Sequence, residues 1–302
     1  MLDGVLFFPI TPFARDDSVD HGALKEHLEH GLKFRPGGIF AACGTGEFHA
    51  LSLVELSDVV TTAVATTAGR VPVYAGAGGA LALAKEQVRL AESAGADGIL
   101  LFPPYLVSSP QEGLVAYVRA VAGATSLPVI VYHRANARFT EASAVEIARI
   151  DNVTGLKDGA GDLDLMARIV RAVKDELAGT GKDFQFFNGL PTAEASQQAY
   201  RAIGVTLYSS ATFAFAPELA VAFYQALEAG DEERLGQLSR EFFHPLVRLR
   251  DSVPGYAVAL VKAGAELGGI QSGHVRAPLT DASEQDREEL KRLLAAGRAL
   301  LG

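Results

Sequence analysis

One cysteine, Cys43, among 302 residues leaves no partner for an internal disulfide and suits a reducing compartment. No apolar run approaches the roughly 20 residues that a membrane helix needs. The longest ones, such as Gly98–Pro104 and Val129–Tyr132, have the length of strands. The net charge of −9 comes without a basic stripe or Lys/Arg cluster, which argues against a nucleic-acid surface. Met1-Leu2-Asp3-Gly4 shows no basic stretch ahead of an apolar segment, so no signal peptide is expected. The seven histidines form no HExxH, and neither Gly-rich run is a GxGxxG or a P-loop, so no metal or nucleotide signature appears. A soluble cytoplasmic protein is the expectation.

What the chain does hold is a regular alternation. Strand-like runs are expected at Val5–Thr11, Gly38–Ala42, Val71–Ala75, Gly98–Phe102, Val129–Tyr132, Val153–Lys157, Phe184–Asn188 and Val205–Ser209. Helix-like stretches separate them, and another at 217–229 follows the last. The runs are continuously apolar instead of alternating, the pattern of strands buried on both faces of a parallel sheet. Eight βα units in about 225 residues fit a (β/α)8 TIM barrel. A doubly wound open sheet is the competitor, and the count of eight favours the barrel. Beyond residue 230 the strand signal stops, and 231–249, 256–267 and 284–301 read as helices. The expected division is a catalytic barrel over 1–229 and a small helical domain over 230–302.

In such a barrel the chemistry sits where strands end at the C-terminal face. Lys157 ends the sixth run. If it points into the barrel mouth, desolvation disfavours its charged form, and a neutral amine can attack a carbonyl to form an imine. From the strand pattern alone two readings stand open, an imine-forming nucleophile and a structural ion pair with Asp158. Tyr132 ends the neighbouring strand and could relay a proton, or could be an aromatic of the barrel interior. Gly44-Thr45-Gly46 offers backbone N–H groups and a hydroxyl in a tight turn that suits an anion, or is an ordinary Gly-rich loop. Gly76–Gly79 after the third run reads as a loop without a role. Cys43 reads as a small buried residue, since no histidine is placed to activate it.

The residues carry a resemblance. Phe8-Pro9-Ile-Thr11-Pro12-Phe13, Gly-Thr-Gly-Glu at 44–47, Pro103-Pro104-Tyr105, Tyr132 and Gly155-Leu-Lys157-Asp158 resemble the dihydrodipicolinate synthase/N-acetylneuraminate lyase superfamily. Within it the chain is most similar to the 5-dehydro-4-deoxyglucarate dehydratases. That likeness rests on Arg138-Phe139-Thr140, Gly189-Leu-Pro-Thr-Ala-Glu194, Tyr208-Ser-Ser-Ala211 and Pro254-Gly-Tyr-Ala-Val258. The resemblance implies Lys157 as the imine former, Tyr132 as its proton-transfer partner and Gly44-Thr45 as the holder of the carboxylate beside the keto group. It makes Arg138, Asn188 and Ser209 candidates for the substrate's hydroxyls and far carboxylate. It further implies a homo-oligomer, a homotetramer of paired dimers. The chain departs from the synthase branch in having Gly44-Thr45 where two threonines are usual, and Leu106 where a second tyrosine is donated across a subunit interface. Cys43 replaces a usual glycine, and His133 a common asparagine.

These implications cohere as dehydration and decarboxylation of a six-carbon 2-keto sugar diacid, with no metal or organic cofactor because the lysine imine serves as the electron sink. The alternatives are a 2-keto-3-deoxy sugar acid aldolase, a sialic acid lyase or a dihydrodipicolinate synthase, which share the imine. A catalytically silent barrel that binds a keto acid is the rival from another class.

Overall fold

A computed structural model describes all the residues, Met1–Gly302. Eight parallel strands close into a barrel in chain order, β1 (Leu6–Phe7), β2 (Gly38–Ala41), β3 (Val73–Gly79), β4 (Gly98–Pro104), β5 (Val129–His133), β6 (Val153–Asp158), β7 (Gln185–Asn188) and β8 (Leu207–Ser210). Strand β1 pairs with both β2 and β8, so no edge is left open. The expected (β/α)8 barrel is the observed fold.

Three elements differ from their expected form. The first strand is two residues long, not seven, because Pro9 and Pro12 lack the N–H that a ladder needs. Strand β3 runs on through Gly76–Gly79, read above as a loop. A Cβ at Gly76 would stand 2.4 Å from the Ala42 carbonyl oxygen, and one at Gly78 would stand 2.6 Å from Phe102 Cβ, so those glycines let neighbouring backbone approach closely. The helix expected over 231–249 is three consecutive pieces, Glu232–Leu238, a π-helical turn at Ser239–Phe243, and His244–Arg250.

Helix starts follow their sequence signals. Ser52 and Thr140 each form a reciprocal capping box, with Glu55 and Ser143 respectively, and Pro217 sits in the first turn of its helix.

Alternation along the strands divides the core in two. Leu6, Phe40, Leu100, Ile130, Tyr132, Phe187 and Leu207 point inward and, with Phe8, fill the barrel. Phe7, Ile39, Val129, Val131 and Leu156 point outward and join the larger core under the helices. In this register Tyr132 lies beside Lys157, and Lys157 beside Phe187. After β8 the chain continues as helices, including Tyr256–Leu267 and Glu284–Ala299. The first of these packs on the short turn Thr212–Ala214 that follows β8.

Candidate active site

A cavity of about 360 Å³ opens at the C-terminal end of the strands. That is within the roughly 300–1,000 Å³ common for small-molecule sites. Its floor holds Phe8, Tyr132 and Lys157, and its sides hold Gly44, Thr45, Arg134, Gly189, Thr192, Ser209 and Thr212. The outer wall comes from the C-terminal helices and is largely apolar, with Leu246, Val258, Leu260 and Val261.

Lys157 is buried at 5 % exposure, and its amine makes no salt bridge and no hydrogen bond within the protein. The ion pair with Asp158 does not form, because successive strand residues point to opposite faces. Asp158 points outward and accepts hydrogen bonds from Tyr200 OH and from the backbone N–H groups of Ala160 and Gly161. Lys157 Nζ lies instead 4.2 Å from the Phe8 ring centre and 4.6 Å from that of Tyr132. Desolvation by this aromatic floor lowers its pKa from 10.5 to about 7, and the nearby Arg134 cation adds to the effect. A substantial fraction of the amine is therefore neutral near pH 7.

The Tyr132 hydroxyl donates to the Gly189 carbonyl oxygen at 2.7 Å and accepts from Arg134 Nη1 at 3.2 Å. Burial raises its pKa, and Arg134 opposes that shift. The phenol is thus protonated and oriented, with a cation on its oxygen.

Gly44 and Thr45 also line the cavity, and their backbone N–H groups have no partner within the protein. Two free donors facing a cavity that contains a lysine form an anion cradle. Gly46 stands behind this cradle, outside the cavity lining, and its carbonyl accepts from Thr11 OH at 2.7 Å. The loop is held from below by Glu47, whose carboxylate meets Lys262 Nζ at 2.6 Å in a fully buried ion pair. The Arg276 N–H donates to the other Glu47 oxygen at 2.8 Å.

The remaining sequence candidates divide. Ser209 lines the cavity. Asn188 does not; its amide donates to Ala193 O, Ser196 Oγ and Gln197 Oε1, so its hydrogen bonds are used inside the β7 end. Arg138 is exposed and lies outside the cavity lining, beyond a tight turn closed by the Arg134–Ala137 backbone pair. Cys43 is buried, and desolvation pushes its thiol up to about 12, which leaves it inert. His133 points away from the mouth, and its Nδ1 accepts from the Phe139 N–H at 3.1 Å.

Sequence reasoning missed Arg134 and Arg250 as cavity residues, together with Thr192, Thr212 and the apolar outer wall. Arg134 carried a signal, being two residues past Tyr132 on a strand end. Arg250 carried none, since it reaches the cavity from a helix more than ninety residues along the chain from Lys157. No group of three or more His, Cys, Asp or Glu side chains is arranged to hold a metal ion.

Compared with known proteins, residues 1–297 match the model of the dihydrodipicolinate synthetase family. A probable 5-dehydro-4-deoxyglucarate dehydratase 1 of Streptomyces coelicolor is 54% identical over 298 residues, 99% of this chain and 94% of that protein. A probable 5-dehydro-4-deoxyglucarate dehydratase of Ralstonia nicotianae is 45% identical, covering 97% of this chain and 92% of that protein. Among solved structures, dihydrodipicolinate synthase from Bacillus clausii superposes with a TM-score of 0.89 at 27% identity, covering 98% of both chains. The synthase from Oceanobacillus iheyensis gives 0.90 at 26%, over 99% of this chain and 97% of that one.

Proposed function

The chain belongs to the dihydrodipicolinate synthetase family, and we propose that it is a lyase converting 5-dehydro-4-deoxyglucarate to 2,5-dioxopentanoate, CO2 and water. The observation that carries this reading is Lys157, an unpaired amine with its pKa lowered to about 7, beside an oriented phenol and two free amide donors. The curated relatives named as 5-dehydro-4-deoxyglucarate dehydratases support the choice of substrate.

In this reading Gly44 and Thr45 bind the carboxylate next to the ketone, which presents the carbonyl carbon to Lys157. The neutral amine adds, water leaves, and an imine forms. The Tyr132 phenol gives its proton to the departing carbinolamine hydroxyl, and the phenolate so formed, directly or through a water held on it, takes a proton from the CH2 that the protonated imine has made acidic. The enamine expels the β-hydroxyl, which leaves as water with a proton returned through the same phenol. Ser209, Thr192 and Thr212 are the hydroxyls within reach of the sugar hydroxyls. The conjugated iminium then accepts the electron pair released when the far carboxylate leaves as CO2. Tautomerisation of the resulting enol and hydrolysis of the imine free the semialdehyde and the amine. The covalent imine supplies the electron sink, so the scheme uses no dissociable cofactor.

We read residues 1–229 as the catalytic barrel and 230–302 as a helical domain that walls its cavity. We also propose a cytoplasmic homotetramer. The exposed apolar loop Tyr105, Leu106 and Val107 supports self-association, which light scattering would register as four subunits.

Incubation with 5-dehydro-4-deoxyglucarate should release CO2 and semialdehyde in equal amounts, and borohydride during turnover should leave its adduct on Lys157. Pyruvate as the product would overturn the reading in favour of an aldolase. A missing adduct would sink the imine.

A further inference from the structure

A diacid brings a second carboxylate that the Gly44–Thr45 cradle does not reach, so a second cation should face the cavity. Two guanidinium groups line it, Arg134 and Arg250. Arg250 is already neutralised: its Nε and Nη2 meet the Asp251 carboxylate and its Nη1 donates to the Pro191 carbonyl. The Arg134 guanidinium meets no carboxylate, and its one hydrogen bond within the protein goes to the Tyr132 hydroxyl. In a chain of net charge −9 with many paired surface arginines, an unpaired one on the wall of a cavity stands out.

Its position is set by backbone. The N–H and carbonyl of Arg134 pair with the carbonyl and N–H of Ala137 at 3.1 and 2.9 Å. Asn136, inside that turn, donates to the carbonyls of Pro104 and Val107. The turn is therefore pinned to the β4 loop, and the guanidinium is held 5.6 Å from the centre of the Tyr132 ring, the ring that Lys157 also faces. With C–C bonds near 1.5 Å, an extended six-carbon diacid separates its end carbons by about 6 Å. Lys157 and Arg134 lie near one phenol, at 4.6 and 5.6 Å from the centre of its ring, so an imine at the second carbon and a carboxylate at the sixth fall within that span.

We propose that Arg134 is the specificity-determining residue that binds the far carboxylate of the substrate, in place of Arg138. The proposal rests on the imine reading of Lys157. Arg134 leaves four N–H donors free, which permits a bidentate pair with a carboxylate. Because the guanidinium is also exposed, the pair stays hydrated and is cheap to break when CO2 departs. The same group joins recognition to chemistry, since it holds the phenol oxygen that moves the proton.

The test uses 2-oxoadipate, a six-carbon keto diacid without hydroxyls, and 2-oxohexanoate, the monoacid of equal length. Each is titrated under borohydride, and the adduct on Lys157 is quantified by mass spectrometry for wild type, Arg134→Met and Arg138→Met. Wild type should trap the diacid at lower concentration. Arg134→Met should weaken trapping of the diacid about five-fold beyond whatever it costs the monoacid, the upper range for a hydrated bidentate pair. Arg138→Met should behave as wild type. A diacid preference that survives in Arg134→Met, or is lost in Arg138→Met, overturns the proposal and leaves the imine intact. Equal weakening of both acids also overturns it, since Arg134 would then act on Lys157 and Tyr132 alone. No adduct from either acid in wild type removes the imine reading and this one with it.

Discussion

Lys157 couples catalysis and stability through one buried amine. With a pKa lowered to about 7, the free enzyme should gain kcat/KM as pH rises through that value, because only the neutral amine attacks. A profile whose acid limb sits near the ordinary lysine pKa of 10.5 would contradict the desolvated floor of Phe8 and Tyr132. The same shift sets a stability slope. Between about 7 and 10.5 the unfolded lysine binds a proton that the folded one does not, so folding stability rises with pH at up to about 1.4 kcal/mol per unit. Lys157→Met removes that slope. The variant should melt above wild type near pH 6, and the gap should close toward pH 10, as calorimetry across that range would read. Neither sign was legible in the sequence, where Lys157 could equally have paired with Asp158. Strand alternation separates the two, and that becomes visible only once the register is known.

At the level of loops and helices, the site depends on places where a side chain is missing. A Cβ at Gly189 would lie 2.6 Å from Lys157 Cε and 2.8 Å from the Asp158 carbonyl oxygen, and one at Gly159 would lie 2.7 Å from the Tyr132 ring. Neither glycine has positive φ, so the local conformation suits alanine, and the resistance comes from Lys157, Tyr132 and, at Gly189, the Asp158 carbonyl. Gly189→Ala and Gly159→Ala should therefore keep the circular dichroism of the wild type and lose kcat by roughly ten-fold or more, the scale of a displacement near 1 Å. Full activity in both would mean that Lys157 and Tyr132 have slack. The Gly44–Thr45 cradle has a different support. Glu47, in the left-handed region at φ 56°, reaches Lys262 on the helix Tyr256–Leu267, more than two hundred residues along the chain. Removing one member of a buried pair strands the other charge at a cost of about 3–5 kcal/mol. Lys262→Met should lower the urea midpoint accordingly and raise KM by loosening the cradle. Adding Glu47→Gln should recover part of the stability, and strict additivity of the two changes would argue against the pair. The Gly-Thr-Gly-Glu motif was legible as a loop with available donors, but nothing in its spacing pointed to Lys262.

Over the whole molecule, the closed barrel forces another buried acid. Glu194, in the turn after β7, accepts from Ser210 at the end of β8, and its second oxygen has no partner. Burial raises its pKa from 4.5 to about 7 against the opposing pull of that hydrogen bond. Here the folded state holds a proton that the unfolded chain releases near 4.5, so stability is lost as pH rises from about 4.5 to 7 and is flat above. The limiting size is roughly 3 kcal/mol at 1.36 kcal/mol per unit. Glu194→Gln should flatten that decline in denaturant titrations between pH 4.5 and 7.5, and an unchanged slope would mean that Glu194 is ionised in the fold. The barrel itself was readable from the chain because eight continuously apolar runs at regular spacing have few ways to bury both faces. Its sixth and fifth strand ends were readable for the same reason, and with them Lys157 and Tyr132 as neighbours. Local pattern also sufficed for the capping boxes of Ser52 and Thr140, since a cap involves residues only three apart. What required the folded chain is every contact that spans it. The closing of β1 onto β8, the inward turn of Lys157 away from Asp158, the withdrawal of Asn188 and Arg138 from the cavity, and the arrival of Arg250 and Lys262 beside it all depend on register and packing. Those are set by the sum of many weak burial terms across distant segments, and no short stretch of sequence contains that sum.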